Sequence, residues 1–153
     1  MTITRYAAVV DAVLATLQAD ANLTGVLVND GSPTPGFNPY EGIYIGWSGG
    51  EDDDTAGSIS QDWHDTGIAA TRDETVSIDY VVQAVRGDDL MSEARARVVQ
   101  LLGYVEAALR ANPSLGIDGV KWVEVSAGSV RQVRNEDGIG VEITGSITAT
   151  CII

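Results

Sequence analysis

The sequence predicts an α+β domain: a mostly antiparallel sheet with two helices packed on one face and a long loop or extended hairpin in the middle. Three observations predict it. Two segments carry apolar residues at the spacing of a helix face, and several others alternate apolar with polar residues as half-buried strands do. The last two β-rich runs have only a turn between them, which suits antiparallel pairing, because parallel neighbours need a crossover of about a dozen residues or more.

Tyr6, Val9, Val10, Val13, Leu14 and Leu17 line one face of a first helix over residues 4–19, with Thr2 or Thr4 available as N-cap. The segment after it is expected to be loop, since Asn22, Gly25, Gly31, Pro33, Pro35 and Gly36 preset turns or remove N–H donors. Ile43, Ile45 and Trp47 then alternate as a short strand does. Residues 48–72 show little periodicity, and their polar, acidic, glycine-rich start suggests a mobile loop or an extended hairpin. Such a segment has little apolar area to offset the entropy of ordering it, so it is expected to be ordered by a neighbouring subunit.

Val76, Ile78, Tyr80, Val82 and Ala84 share one strand face, opposed by Ser77, Asp79 and Gln83. Gly87 ends that strand, and Asp88 or Asp89 can cap a second helix. Its buried stripe reads Met91, Ala94, Val98, Leu101, Leu102, Val105, Ala108 and Leu109 until Asn112-Pro113 stops it. Val98, Leu101, Leu102 and Val105 are the residues expected to seat it on the sheet. Residues 120–133 and 139–153 are β-rich and separated by a turn containing Asp137-Gly138, so they should form an antiparallel hairpin. In the last run Ile139, Val141, Ile143, Ile147, Ala149 and Cys151 share one parity and are expected to be core.

A chain of 153 residues that is 44% apolar and 20% charged has enough apolar content for one core, and a single domain over residues 1–153 is expected. The formal charge of −13 disfavours a phosphate-binding surface. Most of the excess lies between residues 51 and 89, where eleven acidic residues face two basic ones, a net −9. The single cysteine, Cys151, excludes an intrachain disulfide. With no signal-type run at the N-terminus and nothing near the roughly 18 apolar residues of a membrane span, a soluble protein made in cytoplasm is expected.

No catalytic, cofactor or metal site emerges from the sequence. His64 is the only histidine, between Asp62 and Asp65, and without a G-x-S-x-G turn it is expected to be solvated. Glu51, Asp52, Asp53 and Asp54 lack the alternating spacing of a calcium loop, and one Cys with one His cannot make a zinc site. The glycines of residues 36–50 precede no Gly-Lys-Ser/Thr, and the only lysine is Lys121. Trp47, Trp63 and Trp122 lack interleaved basic residues, so core or interface roles suit them better than base stacking.

The helix closing on LQADANLTGVLVNDG, the aromatic strand YEGIYIGW, the strand TVSIDYVVQAVRG, the helix MSEARARVVQLLGYVEAAL and the terminal hairpin occur in an order that resembles the small tail-terminator and tail-completion proteins of long-tailed bacteriophages, particularly of actinobacterial hosts. The likeness covers nearly the whole chain and rests on element order, length and local composition. It implies a virion protein that forms a homo-oligomeric ring of six, caps the tail-tube protein at the head-proximal end and meets the head–tail connector, with DNA passing through unbound and no cofactor.

Within that picture Ile59, Trp63 and Ile68 are the apolar residues available to anchor residues 48–72 on another subunit. Glu51, Asp52, Asp53 and Asp54 would stay in water facing the channel and repel phosphate. A neck or tail-tube component is the nearest alternative role. A small acidic hydrolase or ligand-binding domain built around His64 is the alternative from another class.

Overall fold

The computed structural model describes residues 2–36, 39–50, 55–64, 71–87, 90–136 and 138–153. Helix α1 (Tyr6–Gln18) forms where the periodicity places it and buries Val9, Val13, Leu14 and Leu17. The N-cap position falls to Arg5, which makes no side-chain cap, and not to Thr2 or Thr4; Thr4 Oγ1 instead accepts the Tyr6 N–H, at 3.1 Å, from one position further out. The chain then departs from expectation. Asp20 accepts the Asn22 N–H at 2.8 Å and closes a single 3-10 turn, Ala21–Leu23. Leu27–Asp30 form strand β1 rather than loop, parallel to β2 (Glu41–Ile45) with Leu27 opposite Gly42.

Trp47 lies beyond the end of β2 rather than in it. Gly46 adopts a φ of +85° that an L side chain rarely tolerates, and it turns the chain off the sheet. Trp47 packs edge-on against Tyr44 with ring centroids 5.4 Å apart and donates its Nε1–H to the Gly50 carbonyl at 3.2 Å. Ile43 and Ile45 are both buried on the core side, as their alternation predicts.

Of the two readings of residues 48–72, the hairpin is the one observed. Gly57–His64 is strand β3, antiparallel to the beginning of β4 (Thr71–Arg86), with Gly57 opposite Ile78 and His64 opposite Thr71. A Cβ at Gly57 would collide with the Ser77 carbonyl oxygen, so this contact requires glycine. Strand β4 is longer than the alternation suggested and includes Arg72 and Glu74, both buried.

Helix α2 (Met91–Ala111) buries Ala94, Val98, Leu101, Val105 and Leu109. Its N-cap position is held by Leu90, which has no side-chain acceptor, and not by Asp88 or Asp89, which lie outside the described residues. Leu102 is partly buried at the margin of the core, one position off the central stripe, so it does not seat the helix as Leu101 does. Strands β5 (Val120–Asn135) and β6 (Gly138–Ile152) pair antiparallel, as expected from the turn between them, and the predicted β6 face is buried.

The sheet order is β1-β2-β4-β6-β5, with β3 also on β4. β2 and β3 therefore lie end to end along one edge of β4, while β6 follows its other edge from Asp73 to Arg86. They meet at Asp79. Its carbonyl accepts Gly46 N–H at 2.7 Å, and its N–H donates to the Ala56 carbonyl at 2.9 Å, so the chain leaves and re-enters the sheet at one residue. Both helices pack on the same face, sharing one apolar core with Ile43, Ile78, Tyr80, Val82, Val141 and Ile147. Part of the other face is covered too: Tyr44 and Val81 are buried there, and Gly49 approaches Val81 and Thr144.

Tyr80 ties three strands together. Its ring lies over Gly145 of β6, where any Cβ would clash with it, and its hydroxyl donates to the Ser126 carbonyl of β5 at 2.9 Å. Burial, with Glu106 adding to it, pushes that hydroxyl up to about 12. At the other end of the helix layer Glu41 accepts Arg97 Nε at 2.8 Å and Nη2 at 2.9 Å, plus Arg86 Nη2 at 3.1 Å. This network joins β2, β4 and α2.

Two stability predictions follow from this packing. Leu101→Ala should cost about 2–5 kcal/mol in urea unfolding and Leu102→Ala clearly less, because only Leu101 is fully enclosed. Equal costs would mean that α2 sits on the sheet differently. The Glu41 carboxyl is held below its ordinary 4.5 by hydrogen bonds from Arg97 foremost and Arg86, against partial burial, which acts the other way. A lowered folded-state value means stability that is fully present above about 4.5 and lost as pH falls through the folded value. Glu41→Gln should therefore cost about 1–2 kcal/mol at pH 7, after screening of a pair that keeps some exposure, and the gap to the parent should narrow as pH falls below about 4.5.

Candidate assembly interface

The three apolar residues singled out in the sequence fare differently. Ile59 and Trp63 lie on β3, opposite Val76 and Arg72 in register, and so share the helix-bearing face of the sheet. Both are solvent-exposed, Ile59 at 47% and Trp63 at 61%. Ile68 lies outside the described residues, as do Glu51, Asp52, Asp53 and Asp54.

What holds this hairpin in place is a buried polar group that the sequence reading did not find. Glu74 is fully enclosed, accepting the Arg5 N–H at 2.6 Å on Oε1 and the Gln61 side-chain amide on Oε2. Gln61 also donates to the Ile3 carbonyl at 2.8 Å, and Arg72 Nη2 donates to the carbonyls of Thr2, at 3.1 Å, and Ile3. The segment ahead of α1 is thus stitched to the base of the β3–β4 hairpin. Trp63 stacks on the Arg72 guanidinium, whose carbon lies 4.6 Å from the ring centroid, and shields one face of that buried cation.

On the opposite face of the same hairpin His64 Nε2 sits 2.8 Å from Asp73 Oδ2, and Lys121 Nζ lies 3.7 Å from Asp73 Oδ1. The hydrogen bond from His64, with help from Lys121, holds the Asp73 carboxyl below its usual range. All three are substantially exposed. Among the described residues no group of three or more His, Cys, Asp or Glu side chains could hold a metal ion, and no helix is long and apolar enough to cross a membrane. Cys151 is buried, and that burial, with Glu74 nearby, raises its thiol above the ordinary range.

The second surface is the outer edge of β5. The sheet ends there, leaving sixteen residues of strand with no neighbour on one side among the described residues. A bulge shapes it. Pairing with β6 steps from Ala127 opposite Gly145 to Ser129 opposite Thr144, so Gly128 is the extra residue and the parity of β5 reverses. Val123, Val125 and Val130 consequently face the same side, yet α2 covers only the first two. Val130 is 61% exposed, and residues 129–134 are exposed throughout. Beside the covered half runs an open groove of about 540 Å³ between α2 and β5, lined by Glu106, Leu109, Arg110, Trp122 and Val125.

The class these features define is an α+β domain which, among the described residues, has two α-helices, a mixed, mostly antiparallel sheet of six strands and long unpaired strand edges. Neither a family model nor a curated protein matches the sequence. A chain of the virion of a native gene transfer agent particle has a similar fold, with a TM-score of 0.62 over 99% of this chain and 100% of that one at 16% identity. At that identity the likeness is one of fold.

The buried carboxylate makes a specific prediction. Glu74→Gln replaces one of two acceptor oxygens with a donor, and so sets it against either the Arg5 N–H or the Gln61 amide. The domain should remain folded, lose about 1–3 kcal/mol, and show faster hydrogen exchange at the Arg5 amide. Unchanged exchange at Arg5 would mean that Glu74 does not anchor the N-terminal segment.

Proposed function

We propose that this chain is a structural virion subunit that works by assembly and not by turnover. In the finer reading it is a tail terminator: a ring of six that caps the tail tube, ends its polymerisation and supplies the tail side of the head–tail joint. The observation that carries the proposal is the end-to-end correspondence of fold with a virion chain, neither protein having much left over. An isolated enzyme domain needs a cleft with convergent polar groups. The groove between α2 and β5 is open and runs beside a strand edge, which suits a contact between macromolecules.

The charge supports the same role. At −13 the chain would repel DNA phosphate, and a subunit lining a passage for DNA must not bind it. Its partners are then further copies of itself, the tube protein and the connector, and its place is the head-proximal end of the tail.

Electron microscopy of the purified chain, alone and mixed with tail-tube protein, tests this. Closed rings of six, alone or on tube ends, with tubes of limited length, are the expected result. A protein that stays monomeric in light scattering and leaves tube growth unaffected would overturn the reading.

A further inference from the structure

We infer that copies of this chain join head to tail by adding the β3 edge of one subunit to the β5 edge of the next, with Ile59 and Trp63 seated in the groove between α2 and β5. The inference deepens the proposed function and rests on it, since it names the surface through which the ring would close. Both edges are unpaired among the described residues, and they differ in what they present. β3 offers two exposed apolar side chains four residues apart on the helix-bearing face. β5 offers a groove on that same face, with Leu109 and Val125 in its walls beside Glu106 and Arg110. An added strand continues the pleat, so the side chains of β3 that face the helices in their own subunit would face the groove in the next.

Strand direction agrees. β3 and β6 each run antiparallel to β4, and β5 runs antiparallel to β6, so β3 and β5 point in opposite senses within one subunit. Copies related by rotation about an axis along the strands would therefore meet through an antiparallel junction, the pairing that β4, β5 and β6 already use. The two surfaces are unlike each other, so the contact is heterologous and closes only as a ring.

Charge selects the same partner. β5 holds Lys121, Arg131 and Arg134, three of the nine basic residues of the chain, against the single acid Glu124. β3 itself carries one acid, Asp62, and no Lys or Arg. Two β5 edges would set like charges together, and a β3 edge against a β5 edge would not.

Two variants test this, each adding carboxylates to one edge at positions exposed in the free subunit: I59D/W63D on β3 and W122D/V130D on β5, the parent residues being 46–61% exposed. Near-ultraviolet circular dichroism establishes that each is folded, and light scattering reads the assembly. Each variant alone should lose the ring and run as a monomer. An equimolar mixture should give a dimer and nothing larger, because one intact β3 meets one intact β5 and the two remaining edges repel. Variants that still form the parental ring, or a folded mixture that stays monomeric, overturn the edge inference while leaving the ring reading in place. A parent chain that is monomeric with and without tube protein overturns both.

Discussion

Strand β4 has to satisfy hydrogen-bonding groups on both of its edges over sixteen residues while keeping one face in the core. On one side β6 does this from Asp73 to Arg86 with no break in register. On the other side no single strand is long enough. β2 serves residues 80–84, β3 serves 71–78, and Asp79 takes the bonds at the seam. Most of the remaining architecture follows from that requirement. The chain must leave the sheet after Ile45 and return at Gly57, so Gly46 turns it out and Gly57 lets the backbones meet again. The excursion lays Trp47 and Gly49 near Tyr44 and Val81, which covers part of the face opposite the helices.

This also explains which parts of the fold could be read from residues alone. The middle of β4, all of β6 and the stripe of α2 are apolar at a regular period, because each buries one face against many neighbours. β1 is four residues long and owes its existence to a parallel partner some fifteen positions away, so no local period marks it. Among the described residues β3 is paired on one side only, and its apolar members, Ile59 and Trp63, are separated by polar residues that suit solvent. The beginning of β4 escaped notice for a different reason. Arg72 and Glu74 have the parity of Val76 and Ile78 and are buried as they are, but their charge interrupts the apolar alternation that marks a half-buried strand. In β5 the bulge at Gly128 breaks the parity, which placed Val130 out of step with Val123 and Val125 until the register was known.

Of the candidate surface, the apolar members were legible and the structure surrounding them was not. Ile59 and Trp63 are large apolar residues in a polar stretch, a composition that calls for a partner. Nothing in the sequence says that Trp63 stacks on a buried guanidinium, or that Gln61 between them reaches Glu74 and the N-terminal segment. These contacts change the physical picture of the hairpin. It is held at its base by the fold's own hydrogen bonds, so presenting Ile59 and Trp63 to a neighbour does not require ordering the whole segment at the moment of contact, and the entropy cost of association is lower than for a disordered loop.

The treatment of the edges is uneven in a way that bears on assembly. A long, exposed strand edge invites unwanted pairing, and proteins ordinarily shorten it, cover it or place charges along it. β1 is protected in the first way, with only four residues and Pro33 and Pro35 soon after them. β5 is not. It runs for sixteen residues, bends at a bulge, keeps Val130 and Val133 exposed and has an open groove beside it. Its charges, Arg131 and Arg134, disfavour pairing with a second copy of the same edge, so the edge can stay open without joining itself.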